Sequence, residues 1–409
     1  MKKIFTILSL SLLMMIGIAD GQYSWSVRAD LGGIKRQAAV GFAIGSKGYI
    51  GTGLNYESLT PLKDFWEFDP STNTWTQKAD FGGTARINAI DFVIGNIAYV
   101  GSGSDAYPNA NFVNDFWAFN PIANTWTQIS SFPGTARYGA SGFAIDSNGY
   151  IGTGWNQVSY FNDFWEYKVN TATWIQKASF PGNPRIKCFG FAIGSYGYMG
   201  AGADDNVAYS DMWRYNDTTN NWAQMASLPS IDDASATFVM IGKAFVGTGT
   251  TSYPALSLFN YFWSYDPSVN TWDSIAAIPG TLRLNAVAFA IDSIGYCGTG
   301  AYNNFTQDLQ EFYQYAPPVS HDGINELAQK SHNISVYPNP ATTSITIHSQ
   351  LYLLNSQLLI TDVLGNEVYH QAINNSNNQT IDITQWSNGV YFYQLINNTE
   401  TVREKFVKE

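Results

Sequence analysis

The stretch Arg137-Tyr138-Gly139-Ala140-Ser141-Gly142-Phe143-Ala144-Ile145 runs into Asp146-Ser147-Asn148-Gly149 and returns as Tyr150-Ile151-Gly152-Thr153-Gly154. Two short apolar runs around a tight polar turn read as a β-hairpin. Downstream, Asp163-Phe164-Trp165-Glu166-Tyr167 and Trp174-Ile175-Gln176-Lys177 add two more strand-like runs. Four such strands joined by short turns make an antiparallel meander.

This unit recurs at intervals of about fifty residues. Its second strand returns as Tyr49 to Gly53, Tyr99 to Gly103, Tyr150 to Gly154, Tyr198 to Gly202, Phe245 to Gly249 and Tyr296 to Gly300, each ending Gly-x-Gly or its Ser and Ala variants. Third strands carry Trp66, Trp117, Trp165, Trp213 and Trp263, and fourth strands carry Trp75, Trp126, Trp174, Trp222 and Trp272. A four-stranded sheet cannot bury both faces alone, so the units are expected to stack radially with each Trp between them. The strand glycines are read as making room for aromatic side chains of the neighbouring unit.

No fourth-strand Trp follows Phe312-Tyr313-Gln314-Tyr315 in the sixth unit. Instead, Tyr23-Ser24-Trp25-Ser26-Val27-Arg28-Ala29-Asp30-Leu31-Gly32-Gly33 matches Asn73-Thr74-Trp75-Thr76-Gln77-Lys78-Ala79-Asp80-Phe81-Gly82-Gly83 position for position. The expectation is an all-β chain in which residues 22–316 form a six-bladed β-propeller closed by the N-terminal strand, which removes an exposed sheet edge. These motifs resemble the kelch repeat, with Gly-x-Gly where that family has adjacent glycines. The resemblance implies a propeller and leaves the function open.

Residues 317–332 read as a linker and 333–409 as a small β-sandwich, with strands at Ile345-Thr346-Ile347, Leu358 to Asp362, Glu367-Val368-Tyr369 and Val390 to Leu395. Tyr337-Pro338-Asn339-Pro340, Asp362-Val363-Leu364-Gly365, Asn388-Gly389-Val390-Tyr391 and the basic end Lys405-Phe406-Val407-Lys408 resemble the C-terminal sorting domain of the type IX secretion system. The resemblance implies a partnership with that machinery and export across the outer membrane, followed by release or surface attachment. Residues 1–21 read as a signal peptide: Lys2 and Lys3, an uncharged apolar run from Ile4 to Ile18, then Ala19-Asp20-Gly21. Together these place the protein outside the cytoplasm of a Gram-negative bacterium, with no integral membrane segment.

A net charge of −11 disfavours nucleic acid and anionic lipid as partners. Cys188 and Cys297 fall in non-adjacent units and are expected to be free and buried. All four histidines, His321, His332, His348 and His370, lie beyond the repeats. The propeller therefore offers no His-bound metal, no Ser-His-Asp triad and no copper ligands of the galactose-oxidase kind, and no cofactor is expected. Asp64, Asp115, Asp163, Asp211 and Asp308 read as third-strand starts, and Glu67, Glu166 and Glu311 as sharing one strand position. Such recurrence favours structural roles over a catalytic acid.

An arginine stands six residues before the first-strand Phe in five units: Arg36, Arg86, Arg137, Arg185 and Arg283, with Asp232 in the fifth. The meander puts these on one rim with the longest loops, which carry Tyr107, Tyr160, Tyr209, Tyr253 and Tyr302. Guanidinium forks and exposed aromatic rings suit an acidic glycan or peptide. A structural alternative pairs each arginine with a carbonyl or an aspartate of the adjacent blade. The reading taken forward is a secreted or surface-displayed binding protein, not an enzyme, whose ligand is a glycan or a protein. A carbohydrate enzyme resembling sialic acid epimerases, and a structural adhesin, stand beside it. Asp91 is the one carboxylate at a first-strand position that carries Gly41, Gly142, Gly190, Thr237 or Ala288 elsewhere.

Overall fold

The computed structural model describes residues 23–230, 233–251, 257–302, 306–317, 334–349, 356–363, 365–373, 378–396 and 401–409. The expected signal peptide, residues 318–332 of the expected linker, Asp232 and Tyr253 lie outside them. The chain divides into two compact units, Met1–Val319 and Ser320–Glu409. No helix among the described residues is long and apolar enough to cross a membrane.

Among the described residues the first unit holds six four-stranded antiparallel sheets, with two short two-stranded hairpins. In the third, the strands Ser141–Ile145, Asn148–Gly152, Phe164–Lys168 and Thr173–Lys177 follow chain order. Val287–Ile291, Ile294–Gly298 and Phe312–Ala316 supply three strands of the sixth sheet, and the N-terminal strand Ser24–Arg28 supplies the fourth. Trp25 stands opposite Tyr315 in that pairing. Each first strand packs against the first strands of two other sheets, in the cyclic order of the sheets, so these strands surround a central channel.

The recurring aromatics explain the stacking. The third strand opens with a fully buried Phe in most blades, and the fourth-strand Trp of the next blade lies against it. Trp126 meets Phe65 at 4.9 Å, Trp174 meets Phe116 at 5.1 Å, and Trp25 meets Phe262 at 5.0 Å between ring centroids. Every fourth-strand indole N–H donates to a carbonyl of the preceding blade: Trp25 to Ala276, Trp75 to Ala29, Trp126 to Ala79, Trp174 to Ser130, Trp222 to Ala178 and Trp272 to Ala226. Such bonds satisfy a donor that would be costly to bury alone.

The glycine expectation needs a correction. A Cβ on Gly51, the first glycine of a Gly-x-Gly, would lie 2.2 Å from Phe65 of its own blade, not from a neighbour. The close inter-blade approach is at Gly48, where a Cβ would come within 2.2 Å of Phe289.

In the second unit, a three-stranded sheet (Ile334–Tyr337, Ser344–Ser349, Asn378–Asp382) and a four-stranded sheet (Glu367–Ile373, Ser356–Thr361, Gly389–Ile396, Thr401–Lys408) share one core. Ile345 and Ile347 from one sheet meet Leu358, Ile360, Tyr393, Leu395 and Phe406 from the other. Their period of two is what a half-buried strand requires.

Candidate functional site

The arginines are anchors. Arg36, Arg86, Arg137, Arg185 and Arg283 are at most 1% exposed. Arg86 shows the arrangement: Nε donates to the Thr84 carbonyl at 3.1 Å, Nη1 to the Ser102 carbonyl at 3.1 Å, and the fork closes on Asp115 at 2.8 and 3.0 Å. Arg36 grips Asp64, Arg137 grips Asp163, and Arg185 grips Asp211, in the same way. Arg283 uses Glu311, at 2.5 Å. Desolvation pushes the Asp64 and Asp115 carboxyls up. The arginine's hydrogen bond and charge, together with the adjacent indole N–H, outweigh it and hold both below the ordinary carboxylate range.

These bonds correct three expectations. The guanidinium forks are filled by acids of the same blade, so the arginines do not present themselves to a ligand. Glu311, not Asp308, opens the sixth third strand, and Glu311 does not share the position of Glu67 and Glu166; Gln314 does. Tyr313 stands where other blades have Trp, which hid that register in the sequence. Asp308 sits instead on a rim hairpin, buried, accepting from Gln37 and from the Tyr56 amide.

Two residues past each anchor, and at the equivalent Ala234 of blade five, the backbone turns left-handed: Ala38, Asn88, Gly139, Lys187, Ala234 and Asn285 all have φ between 48° and 61°. Their amides and carbonyls join blade to blade around the channel mouth. Asn88 donates to Ala38, Gly139 to Asn88, Lys187 to Gly139, Asn285 to Ala234 and Ala38 to Asn285, at 2.8–3.2 Å. Non-glycine residues hold this conformation only where the surroundings over-determine it. The anchored arginine and the blade-to-blade bonds do so here.

This collar frames a mouth cavity of about 290 Å³. Its aromatic wall comes from blades one to three: Tyr56, Tyr107, Tyr138 and Trp155. Tyr138 lies 5.6 Å from Trp155 and stacks on Phe112 at 5.5 Å. Gln37, Asn88, Asn285 and Lys187 add polar groups. Of the rim tyrosines expected from sequence, Tyr107 lines this cavity. Tyr160 backs it, stacked on Trp155 and donating to Asp205 at 2.6 Å. Tyr209 covers the Arg185 guanidinium at 3.7 Å and donates to Asp204, and Tyr302 lies half-buried in a rim hairpin. In the sequence Trp155 shows only as a break in the repeat, where other units have Leu54, Ser104, Ala203, Thr250 or Ala301.

With the arginines neutralised, the described rim loops carry more acids, among them Glu57, Asp105, Asp204, Asp205, Asp233 and Asp308, than lysines, Lys35, Lys63 and Lys187. That balance disfavours the acidic ligand expected from the arginines.

Below the collar lies a second cavity, of about 200 Å³, lined by the first strands of all six blades. Asp91 borders it. Desolvation pushes its carboxyl up to about 7, against a hydrogen bond from the Gly41 amide. Cys188 also borders it, and burial raises that thiol to about 12. Both cysteines are free and buried.

The sandwich matches, over residues 335–409, the family described as secretion system C-terminal sorting domain. Residues 335–409 are such a sorting domain. It marks the protein for type IX secretion to the cell surface or extracellular space. Among solved structures, YjhT covers 71% of this chain with 97% of its own length, at a TM-score of 0.59 and 15% identity. At that identity the likeness shows the fold alone, and with the repeated four-stranded sheets it fits a kelch-type propeller ahead of the sorting domain. No curated protein is similar enough to match.

Proposed function

We propose that the propeller is a non-enzymatic recognition module carried to the cell exterior by the sorting domain, and that its mouth cavity binds a neutral glycan. The aromatic wall of Tyr107, Tyr138 and Trp155 around this cavity supports the reading. Aromatic faces cover the apolar faces of sugar rings, and the amides of Gln37, Asn88 and Asn285 suit hydroxyl groups. The acidic rim argues for a neutral ligand over an acidic one. An enzyme acting on an acidic sugar would need a guanidinium open to the substrate, and all five anchors are held by carboxylates.

A glycan array probed with the secreted protein tests this. Tyr138→Ala and Trp155→Ala should each weaken binding about ten-fold, with little change in Tm. Turnover of a bound sugar would favour the enzyme reading, and no binding at all would favour a structural adhesin. Export is tested separately. A chain ending at Ser331 should fold and stay in the periplasm, whereas normal surface arrival would contradict dependence on the sorting domain.

A further inference from the structure

We propose that the mouth cavity holds a hydrogen-bond acceptor of fixed polarity, the Asn285 Oδ1 atom, and that a sugar bound there must donate a hydroxyl hydrogen to it. The ligand's identity as a sugar rests on the glycan reading. The acceptor itself follows from a chain of side chains that runs between blades six and one.

The chain starts at Asp308, 4% exposed in the blade-six rim hairpin. Its Oδ1 accepts from Gln37 Nε2 at 3.0 Å, and its Oδ2 accepts from the Tyr56 amide and, at 3.4 Å, from Asn55 Nδ2. A carboxylate only accepts, so Gln37 has to turn its nitrogen toward Asp308. Gln37 Oε1 in turn takes a hydrogen from Asn285 Nδ2 at 3.2 Å. That bond commits the nitrogen end of the Asn285 amide to Gln37. Both amides line the mouth cavity, and Asn285 Oδ1 is left open to it without a partner among the described residues. Asn88, in the same lining, differs: its side chain makes no hydrogen bond among the described residues, so its amide can turn either way.

Neither Asp308 nor Gln37 belongs to the repeat. In place of Asp308 the other blades have Pro61, Phe112, Tyr160, Ala208 and Leu258, none with a carboxylate or an amide side chain. In place of Gln37 they have Ile87, Tyr138, Ile186, Asp233 and Leu284. A junction needed only to close the ring could use the apolar residues found elsewhere. A buried carboxylate and amide carry a desolvation cost that their mutual hydrogen bonds must offset. Asp308 acts only through Gln37 and is a positioning residue; Asn285 makes the contact.

The substitution Asp308→Asn is a sharp test because it should reverse the chain. The Tyr56 amide still demands an oxygen, so the new amide presents its nitrogen to Gln37. Gln37 then offers its own nitrogen to Asn285, and Asn285 turns Nδ2 into the cavity as a donor.

The experiment has two arms, both on the secreted protein. In the first, the methyl glycosides of glucose, galactose, mannose and N-acetylglucosamine, and every monodeoxyfluoro analogue of each, are titrated by NMR. Fluorine takes the place of a hydroxyl group and cannot donate. For a glycoside that binds, fluorine at one position should weaken wild-type binding about ten-fold. In Asp308→Asn that penalty should fall to about two-fold or reverse, whereas damage to the fold alone would weaken parent and analogue alike. A penalty unchanged in the variant overturns the proposal, and so does wild-type tolerance of fluorine at every position. In the second arm, the isotope-labelled side-chain amide of Asn285, identified by its loss in Asn285→Asp, is followed without sugar. It should exchange with water several-fold more slowly than that of Asn88, and lose this protection in Asp308→Asn. Equal exchange in the wild type overturns the fixed acceptor, whatever the cavity binds. If Asp308→Asn does not fold, Gln37→Met, which breaks the chain at its middle, replaces it in both arms. Binding of none of the glycosides overturns the glycan reading and the demand on a sugar with it, and the second arm still decides the acceptor.

Discussion

Replacing Asp115 with Ala is expected to destabilise the propeller by about 3–5 kcal/mol, a fall in Tm on the order of 10 °C. The substitution leaves the Arg86 guanidinium, 0% exposed, without its counter-charge. Arg86→Ala should cost a similar amount for a different reason. It orphans the Thr84 and Ser102 carbonyls and removes the cation from the Phe81 ring, 4.5 Å away. The double variant Arg86→Met with Asp115→Leu should recover much of the loss, because removing both charges removes the desolvation penalty along with the pairing. The pH dependence has a fixed sign. Asp64 and Asp115 titrate below their unfolded value of about 3.8, so their contribution is complete above that pH and is lost as pH falls through the folded pKa. Urea unfolding of the single and double variants, with wild type followed from neutral to acid pH, checks both points. Arg86→Ala that melts like wild type but loses ligand would return these arginines to the binding role suggested by their position on the rim.

The anchor could have been read from the sequence. A glycine precedes each arginine by three residues: Gly33, Gly83, Gly134, Gly182 and Gly280. A Cβ on Gly83 would lie 2.5 Å from the Arg86 fork, so the glycine gives the guanidinium its room. In the fifth unit Asp232 replaces the arginine, Pro229 replaces the glycine, and Tyr261 replaces the acid that opens the third strand. All members of the set change together, the mark of residues that touch one another. Rim position alone could not separate the two roles, because a guanidinium near a channel mouth can point outward or back into its own blade. The strand pattern was more legible, since period-two burial and the tryptophan spacing follow directly from sheet geometry. The left-handed collar was not legible in the same way. Ala, Asn, Gly and Lys share that position, and what imposes the conformation is a hydrogen bond from another blade. Trp155 and Asp91 were exposed to view only as breaks in the repeat, and their significance depends on which residues lie across the channel.

The N-terminal strand carries the other large effect. Deleting residues 23–31 should abolish cooperative folding of the propeller, a loss of about 5–10 kcal/mol against a total of similar size. The segment brings Trp25, packed on Phe262 and Tyr315 at 5.0 Å, and Leu31, 3% exposed among Ile50, Phe68 and Phe312. It also brings the Ala29 carbonyl that receives the Trp75 indole, so blade one loses a bond as well as blade six. The strand left behind, Phe312–Ala316, is buried along its whole length and would become a bare apolar edge. In a stacked repeat, losing one interface removes the coupling between two neighbours, so the damage extends past the truncated sheet. Trp25→Ala alone should cost about 3–5 kcal/mol and leave a folded protein. A synthetic peptide of residues 23–33 added to the truncated chain should restore native near-ultraviolet circular dichroism, because the missing strand needs only its ladder with Phe312–Ala316 and its two side-chain anchors. A truncated chain that melts within a few degrees of wild type would mean that the strand pairing contributes little to the ring.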